Sequence, residues 1–338
     1  MPARGVAREV RLRDPIMTAA SAAALTTAER FLRLGGLSLH VRESGDGFPL
    51  LLINGIGAHN EMWAPLEQAL AGVRLIAYDA PGTGRSSTSM VPHTLDGLAR
   101  LAATLVDRLG YEQVDVLGYS FGGLIAQRLA AREPRRVRRL VLAATTPGWG
   151  GVPGSLQTMA HMATPLRYYW RAYHEAVLGD LMGGRARSDP DFVRRQGAVR
   201  RHHPPSLLGY AWQLAALMGD PGTLRLLGTI PSPTLVVAGD DDPVMPLANA
   251  LLLAHGLPQA RLFVAPGDGH LLLLDRESVA LPVIEDFLTS PELDGSRAWR
   301  EAEAVTARRV EAALAREAVQ LHHPLAMASA AFRALCGA

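Results

Sequence analysis

Residues Gly118-Tyr-Ser-Phe-Gly-Gly123 carry a serine flanked by glycines in the pattern Gly-x-Ser-x-Gly. That spacing suits a sharp turn from a strand into a helix, with a strained serine, Ser120, at its apex. A serine hydroxyl is a weak nucleophile until a neighbouring base takes its proton, so the pattern needs partners. Candidates lie downstream. Asp240-Asp-Asp242 follows the apolar run Pro233-Thr-Leu-Val-Val-Ala238, and His270 follows Arg261-Leu-Phe-Val-Ala265 through Gly267-Asp-Gly269. A neutral imidazole at His270 can remove the Ser120 proton as the hydroxyl attacks a carbonyl carbon. A carboxylate can hold the imidazole tautomer and stabilise the imidazolium that forms. The ten other histidines of the eleven lack such a position.

Groups so far apart in sequence meet only if strands and helices deliver them. Val114-Asp-Val-Leu117 reads as the strand before Ser120 and Leu124 to Ala131 as the helix after it, with Gly118 and Gly122 letting the two cross closely. Upstream, Phe31 to Leu34 and Leu37 to Val41 around Gly35-Gly36 predict a β-hairpin. Pro49 to Ile53 is a continuous apolar run of the kind buried in a parallel sheet, and it ends in Asn54-Gly-Ile-Gly57. Val73 to Tyr78 and Leu140 to Ala143 are further strands, and residues 93–109 have helical spacing. Asp79 to Ser86 contains a Gly-x-Gly pair but lacks the third glycine of a dinucleotide fingerprint, so it reads as a structural turn.

After Thr146 the alternation stops. Ser155 to Leu227 is helical in pattern, broken at Gly183-Gly184 and Pro204-Pro205, and strands resume at Pro233. The expected class is therefore α/β: a mostly parallel central sheet with helices on both faces and a helical cap inserted over Ser120. The expected divisions are a disordered leader over 1–30, a core over 31–146 and 229–290, a cap over 147–228 and a helical extension over 291–338. Met159, Met162, Tyr169 and Trp212, with Tyr168, Trp170 and Tyr210, are candidate lining for an acyl pocket. His202-His203 lacks a supporting Cys, Asp or Glu pattern and reads as a solvated loop, so no metal is expected. Leu271 to Leu288 is expected to form the last core helix. Trp299, Ala302, Thr306, Val310, Ala313 and Leu321 predict one appended amphipathic helix.

Composition narrows the classes. The 338 residues are 48% hydrophobic and 20% charged, with a formal net charge of +2, as in an ordinary globular protein with nothing that points to nucleic acid. No apolar run reaches the roughly 18 residues of a membrane helix. Cys336 is the single cysteine, so no internal disulfide is possible. All 34 basic residues are arginine, which excludes a lysine Schiff base and a Walker A loop. No cofactor is expected. Ala19 to Ala24 is too weakly apolar for a signal-peptide core, and Met17 is a candidate start.

Over residues 48–289 the chain resembles the α/β-hydrolases, and more narrowly the intracellular depolymerases of medium-chain poly(3-hydroxyalkanoates). The matching stretches are Leu52-Ile-Asn-Gly-Ile-Gly-Ala58, Leu140-Val-Leu-Ala-Ala-Thr145, Tyr210-Ala-Trp-Gln-Leu214 and Leu235-Val-Val-Ala-Gly-Asp-Asp-Asp-Pro243. Phe121 departs from that family, which usually has tryptophan there. The resemblance implies the chain order Ser, Asp, His, with Asp242 as the acid and Asp241 as its rival. It also implies oxyanion donors at the Ile56 and Phe121 backbone N–H groups. The implied enzyme is a cytoplasmic serine hydrolase acting on aliphatic polyester granules. A small-ester or lactone hydrolase, a cofactor-free haloperoxidase-like enzyme and a non-catalytic binding protein are the alternatives.

Overall fold

In a computed structural model, which describes residues 27–320, eight strands form one sheet. They are β1 (Ala28–Leu34), β2 (Leu37–Ser44), β3 (Phe48–Ile53), β4 (Val73–Tyr78), β5 (Val114–Tyr119), β6 (Val137–Ala143), β7 (Thr234–Gly239) and β8 (Ala260–Ala265). Their order across the sheet is β1-β2-β4-β3-β5-β6-β7-β8. The β1–β2 hairpin joins antiparallel at one edge, and the six strands from β4 to β8 run parallel. The α/β class expected from the alternating pattern is the class found. β5 and β7 are buried along their whole length; Leu235 to Ala238 is accordingly an unbroken apolar run, while the buried Asp115 in β5 is paired with Arg138.

Helices Leu95–Leu109, Phe121–Arg132 and Leu247–Gly256 cover one face, where Leu98, Leu124 and Leu251 join a common core. Helices Ala64–Ala69 and Ala280–Thr289 cover the other, with Trp63, Leu66, Ile284 and Phe287. Strand order reverses between β3 and β5, because β3 continues to β4 on one side while β5 continues to β6 on the other. The loops leaving these two strands therefore lie side by side at the carboxyl ends, the usual ligand position in such sheets. Between β6 and β7 the chain inserts helices, among them Leu166–Tyr169, Arg171–Met182, Pro190–His202 and Leu207–Met218. The chain breaks after Met182 at Gly183-Gly184 and after His202 at Pro204-Pro205.

Two expected elements differ. The last core helix starts at Ala280, not Leu271. Pro282 has no N–H to give a helix interior and is tolerated only in a first turn. Residues 271–274 instead form turns that bury four leucines. The described part of the C-terminal extension holds two α-helices, Arg297–Glu301 and Ala307–Gln320. The intervening chain makes a two-bond bridge to β8, Leu262 and Glu303 exchanging N–H···O contacts of 2.9 and 2.8 Å. Trp299 stacks on Phe287, and Val310 and Leu314 are buried in the core. The expected leader up to residue 26, Leu321 and Cys336 lie outside the described residues.

Candidate active site

Ser120 sits between β5 and the helix Phe121–Arg132 with φ 54° and ψ −121°. A non-glycine residue in such a region carries about 1–3 kcal/mol of strain, so its surroundings must hold it there. They do so at both polar ends. The Ser120 N–H donates to Ala143 at 3.0 Å, and its carbonyl accepts the Thr145 hydroxyl at 2.6 Å and the Gly123 N–H at 2.9 Å. Glycine is required on either side because the helix crosses the strand ends almost in contact. A Cβ on Gly122 would lie 2.0 Å from the Ile53 carbonyl oxygen, and one on Gly118 would lie 2.5 Å from the Ala126 Cβ.

His270 reaches the serine from the loop after β8. Its Nε2 is 3.0 Å from Ser120 Oγ, and its Nδ1 is 2.8 Å from Asp242 Oδ2. The other Asp242 oxygen accepts the backbone N–H groups of Val244 at 2.8 Å and Met245 at 2.9 Å, so this carboxylate is fully engaged. Asp241 faces away, taking the Gly184 N–H and the Arg187 guanidinium, while Asp240 accepts the Gly267 N–H. The three adjacent aspartates thus divide into one that meets the imidazole and two that brace loops. The His270 carbonyl accepts the Tyr119 hydroxyl at 2.8 Å. Burial raises the Tyr119 pKa, which keeps that hydroxyl protonated as a donor.

The Asn54–Gly57 loop after β3 lies against the serine, close enough that a Cβ on Gly55 would be 3.3 Å from Ser120 Cβ. The Asn54 side chain shapes the loop, accepting from the Gly55 N–H and donating to the His59 carbonyl. Among the described residues, the Ile56 and Phe121 N–H groups have no acceptor in the protein. A serine hydroxyl, an imidazole and a buried carboxylate in one hydrogen-bonded line, beside two free N–H donors, are equipped for nucleophilic attack on a carbonyl.

Residues 49–277 match the family model of the α/β hydrolase fold. The chain belongs to the α/β hydrolase family. It is 42% identical over 241 residues to a poly(3-hydroxyalkanoate) depolymerase of Ectopseudomonas oleovorans, covering 71% of this chain and 84% of that one. It is 29% identical to a 2-hydroxymuconate semialdehyde hydrolase of a Pseudomonas species, over 76% of this chain and 92% of the relative. Among solved structures, the enol-lactonase of Burkholderia xenovorans superposes with a TM-score of 0.67 at 26% identity, covering 77% of this chain and all of that one. The relatives share a hydrolase scaffold and differ in substrate.

In this α/β hydrolase Ser120 is only 3% exposed, and the inserted helices pack on the neighbouring loop after β3. Tyr168 and Tyr210 pack onto the Gly57 segment, whereas Met159 and Tyr169 lie half-exposed at 42% and 45%. Trp212 turns its indole N–H to the Ser89 carbonyl, and the Met162 carbonyl accepts the Tyr210 hydroxyl. Trp170 is exposed and stacks on Tyr173. The Asp79 turn is built around its own carboxylate, which takes the Asn60 and Arg85 N–H groups and pairs with His40. That partnership raises the His40 pKa.

Sequence reasoning missed one cluster. His202 and His203 do have a carboxylate, because the fold brings Glu61 to them, and the three groups lie within 4.8 Å of one another on the surface. Such a set is compatible with a metal ion as well as with a His–Glu ion pair. No helix of the described residues is long and apolar enough to cross a membrane.

Proposed function

We propose that the protein is a serine hydrolase that cleaves aliphatic carboxylic esters through an acyl-enzyme, with the ester bonds of a medium-chain polyester as its substrate. The observation that carries this reading is the hydrogen-bonded line Ser120–His270–Asp242, at 3.0 and 2.8 Å, in a chain 42% identical to a polyester depolymerase. His270 Nε2 takes the Ser120 proton as Oγ attacks the ester carbonyl carbon. The oxyanion that develops is received by the Ile56 and Phe121 N–H groups. Collapse breaks the bond to the alkoxy oxygen, which leaves with the proton from His270. Water, deprotonated by the same imidazole, then attacks the acyl group, releases the acid and regenerates the serine.

On this reading residues 31–146 and 229–290 are the catalytic core, 147–228 its cap and 291–338 an extension. Apolar side chains exposed on the cap support contact with a hydrophobic polymer. Leu156, Trp170 and Leu207 all lie on its surface. The reaction is then placed in the cytoplasm at a granule surface, and neither metal nor cofactor takes part in the steps written above.

The test is a panel of p-nitrophenyl esters beside medium-chain polyester granules. Each methylene buried in an acyl site contributes about 0.8 kcal/mol, so kcat/KM should rise more than about tenfold from acetate to octanoate. Granules should release 3-hydroxy acids, and Ser120→Ala should abolish both activities and labelling by a fluorophosphonate. Preference for acetate with inert granules would remove the polyester substrate. An active Ser120→Ala would remove the mechanism itself.

A further inference from the structure

One peptide unit of the loop after β3 is gripped at both of its polar ends by the inserted helices. The Ile56 carbonyl accepts the Tyr168 hydroxyl at 2.7 Å, and the Gly57 N–H donates to the Gln213 side-chain oxygen at 2.7 Å. Tyr168 belongs to the helix Leu166–Tyr169 and Gln213 to the helix Leu207–Met218, so two separate elements meet on a single amide. Both side chains are buried. Tyr210 braces Tyr168 edge-on, with ring centroids 6.2 Å apart, and is itself anchored on the Met162 carbonyl at 2.6 Å. Gly57 has φ +70°, and a Cβ there would meet Tyr168 and Tyr210 at about the 3 Å they already occupy.

Among the described residues, nothing in the sheet or its own helices bonds to the Ile56 carbonyl or the Gly57 N–H. The orientation of this amide is therefore imposed by the insert. It matters because the amide shares its Cα with the Ile56 N–H, and rotating one about the Ile56 dihedrals redirects the other. To turn while the insert stays in place, the amide would have to leave a buried carbonyl and a buried N–H unpaired, each at a cost.

We propose that Tyr168 and Gln213 are positioning residues that aim the Ile56 N–H at the oxyanion, so that the oxyanion hole is complete only while the insert is closed. This rests on the serine-hydrolase reading above. Ser120 is only 3% exposed, and on this proposal substrate enters by movement of the insert that packs on the neighbouring loop. That movement breaks both bonds and loosens the loop. Closure over a bound ester re-forms them, which confines acyl transfer to the closed enzyme and disfavours attack on ligands too small to be enclosed.

The experiment compares Tyr168→Phe, which removes one oxygen, and Gln213→Met, which keeps length but loses the acceptor, with Gln213→Glu, which retains an acceptor. Each is assayed for kcat and KM on p-nitrophenyl octanoate. Affinity is also measured for an alkyl trifluoromethyl ketone, whose adduct with serine bears the oxyanion, and for a matching alkyl alcohol that only fills the acyl site. Loss of a whole oxyanion donor costs about 10²–10³-fold in kcat, so loss of its aim should cost about 10- to 100-fold. KM and alcohol affinity should stay near wild type, ketone affinity should fall in step with kcat, and Gln213→Glu should recover most of the rate. Folded Tyr168→Phe and Gln213→Met enzymes with wild-type kcat would overturn the proposal. Equal losses of ketone and alcohol affinity would do so too, since packing alone would then account for them. Failure of the underlying reading looks different: Ser120→Ala would keep its activity while these variants kept theirs.

Discussion

Replacing Asp242 by asparagine should disable the enzyme while barely changing its shape, and the reason can be read from three hydrogen bonds. One carboxylate oxygen faces His270 Nδ1 at 2.8 Å, and the other is held by the Val244 and Met245 N–H groups at 2.8 and 2.9 Å. An asparagine must choose which end carries its NH2. Turning the NH2 toward the two backbone donors would leave buried groups unpaired at about 1–3 kcal/mol each, so the carbonyl stays there. The NH2 then points at His270 and donates to Nδ1. That imposes the tautomer with a proton on Nε2, which donates to Ser120 Oγ and cannot remove its proton. The same tautomer error lowers kcat by about 10⁴-fold in serine proteases, or about 5 kcal/mol of barrier. Steady-state hydrolysis of p-nitrophenyl butyrate, with circular dichroism to check the fold, measures the effect. The control is Asp241→Asn. That carboxylate is 42% exposed and pairs with Arg187, an interaction worth at most about 1 kcal/mol, so activity should stay within about fivefold. Asp242→Asn with more than about 1% of wild-type kcat, or Asp241→Asn with the larger loss, would refute the reasoning.

Gly122→Ala should be among the most damaging single methyl additions, because its Cβ would sit 2.0 Å from the Ile53 carbonyl. We expect more than about 3 kcal/mol of lost stability in urea titrations, and a wild-type midpoint would mean the crossing has room. His174 supplies a pH dependence. Burial, then the nearby Arg200 charge, pulls its pKa down from 6.5 to about 4. Its folded form is neutral, so its contribution is complete above pH 6.5 and is lost as pH falls toward 4, on the order of 3 kcal/mol in all. Melting temperatures should drop over that window for the wild type and less for His174→Gln; identical slopes would clear His174.

Much of the scaffold was legible because its strands are buried on both faces and therefore unbroken in sequence, as Leu50 to Ile53 and Leu235 to Ala238 illustrate. Ser120, Asp242 and His270 could be shortlisted because each follows such a strand. Spacing from Gly239 in this fold favours Asp242 but leaves Asp241 as a rival, since adjacent carboxylates are divided only by which donors they meet. The start of the last helix was misplaced because four leucines at 271–274 look helical, and the weight of Pro282 lies in an absent N–H. Gln213 and Tyr168 carry no local signal of their partners, which are 156 and 112 residues away. Glu61 beside His202 was hidden for the same reason.

The bridge between Leu262 and Glu303 bears on how this protein can be shortened. The family match ends at residue 277, so trimming the chain near 290 looks harmless. β8 is the last strand of the sheet, and among the described residues its outer side is paired only through those two bonds. Cutting there would also strip Trp299 from Phe287 and remove Val310 and Leu314 from the core. The trimmed molecule would present a bare parallel edge beside fresh apolar surface, the combination that recruits a strand from another copy. The outcome to anticipate is precipitation rather than a smaller soluble domain, which makes the last helices a solubility element on which Ser120, Asp242 and His270 depend at a distance.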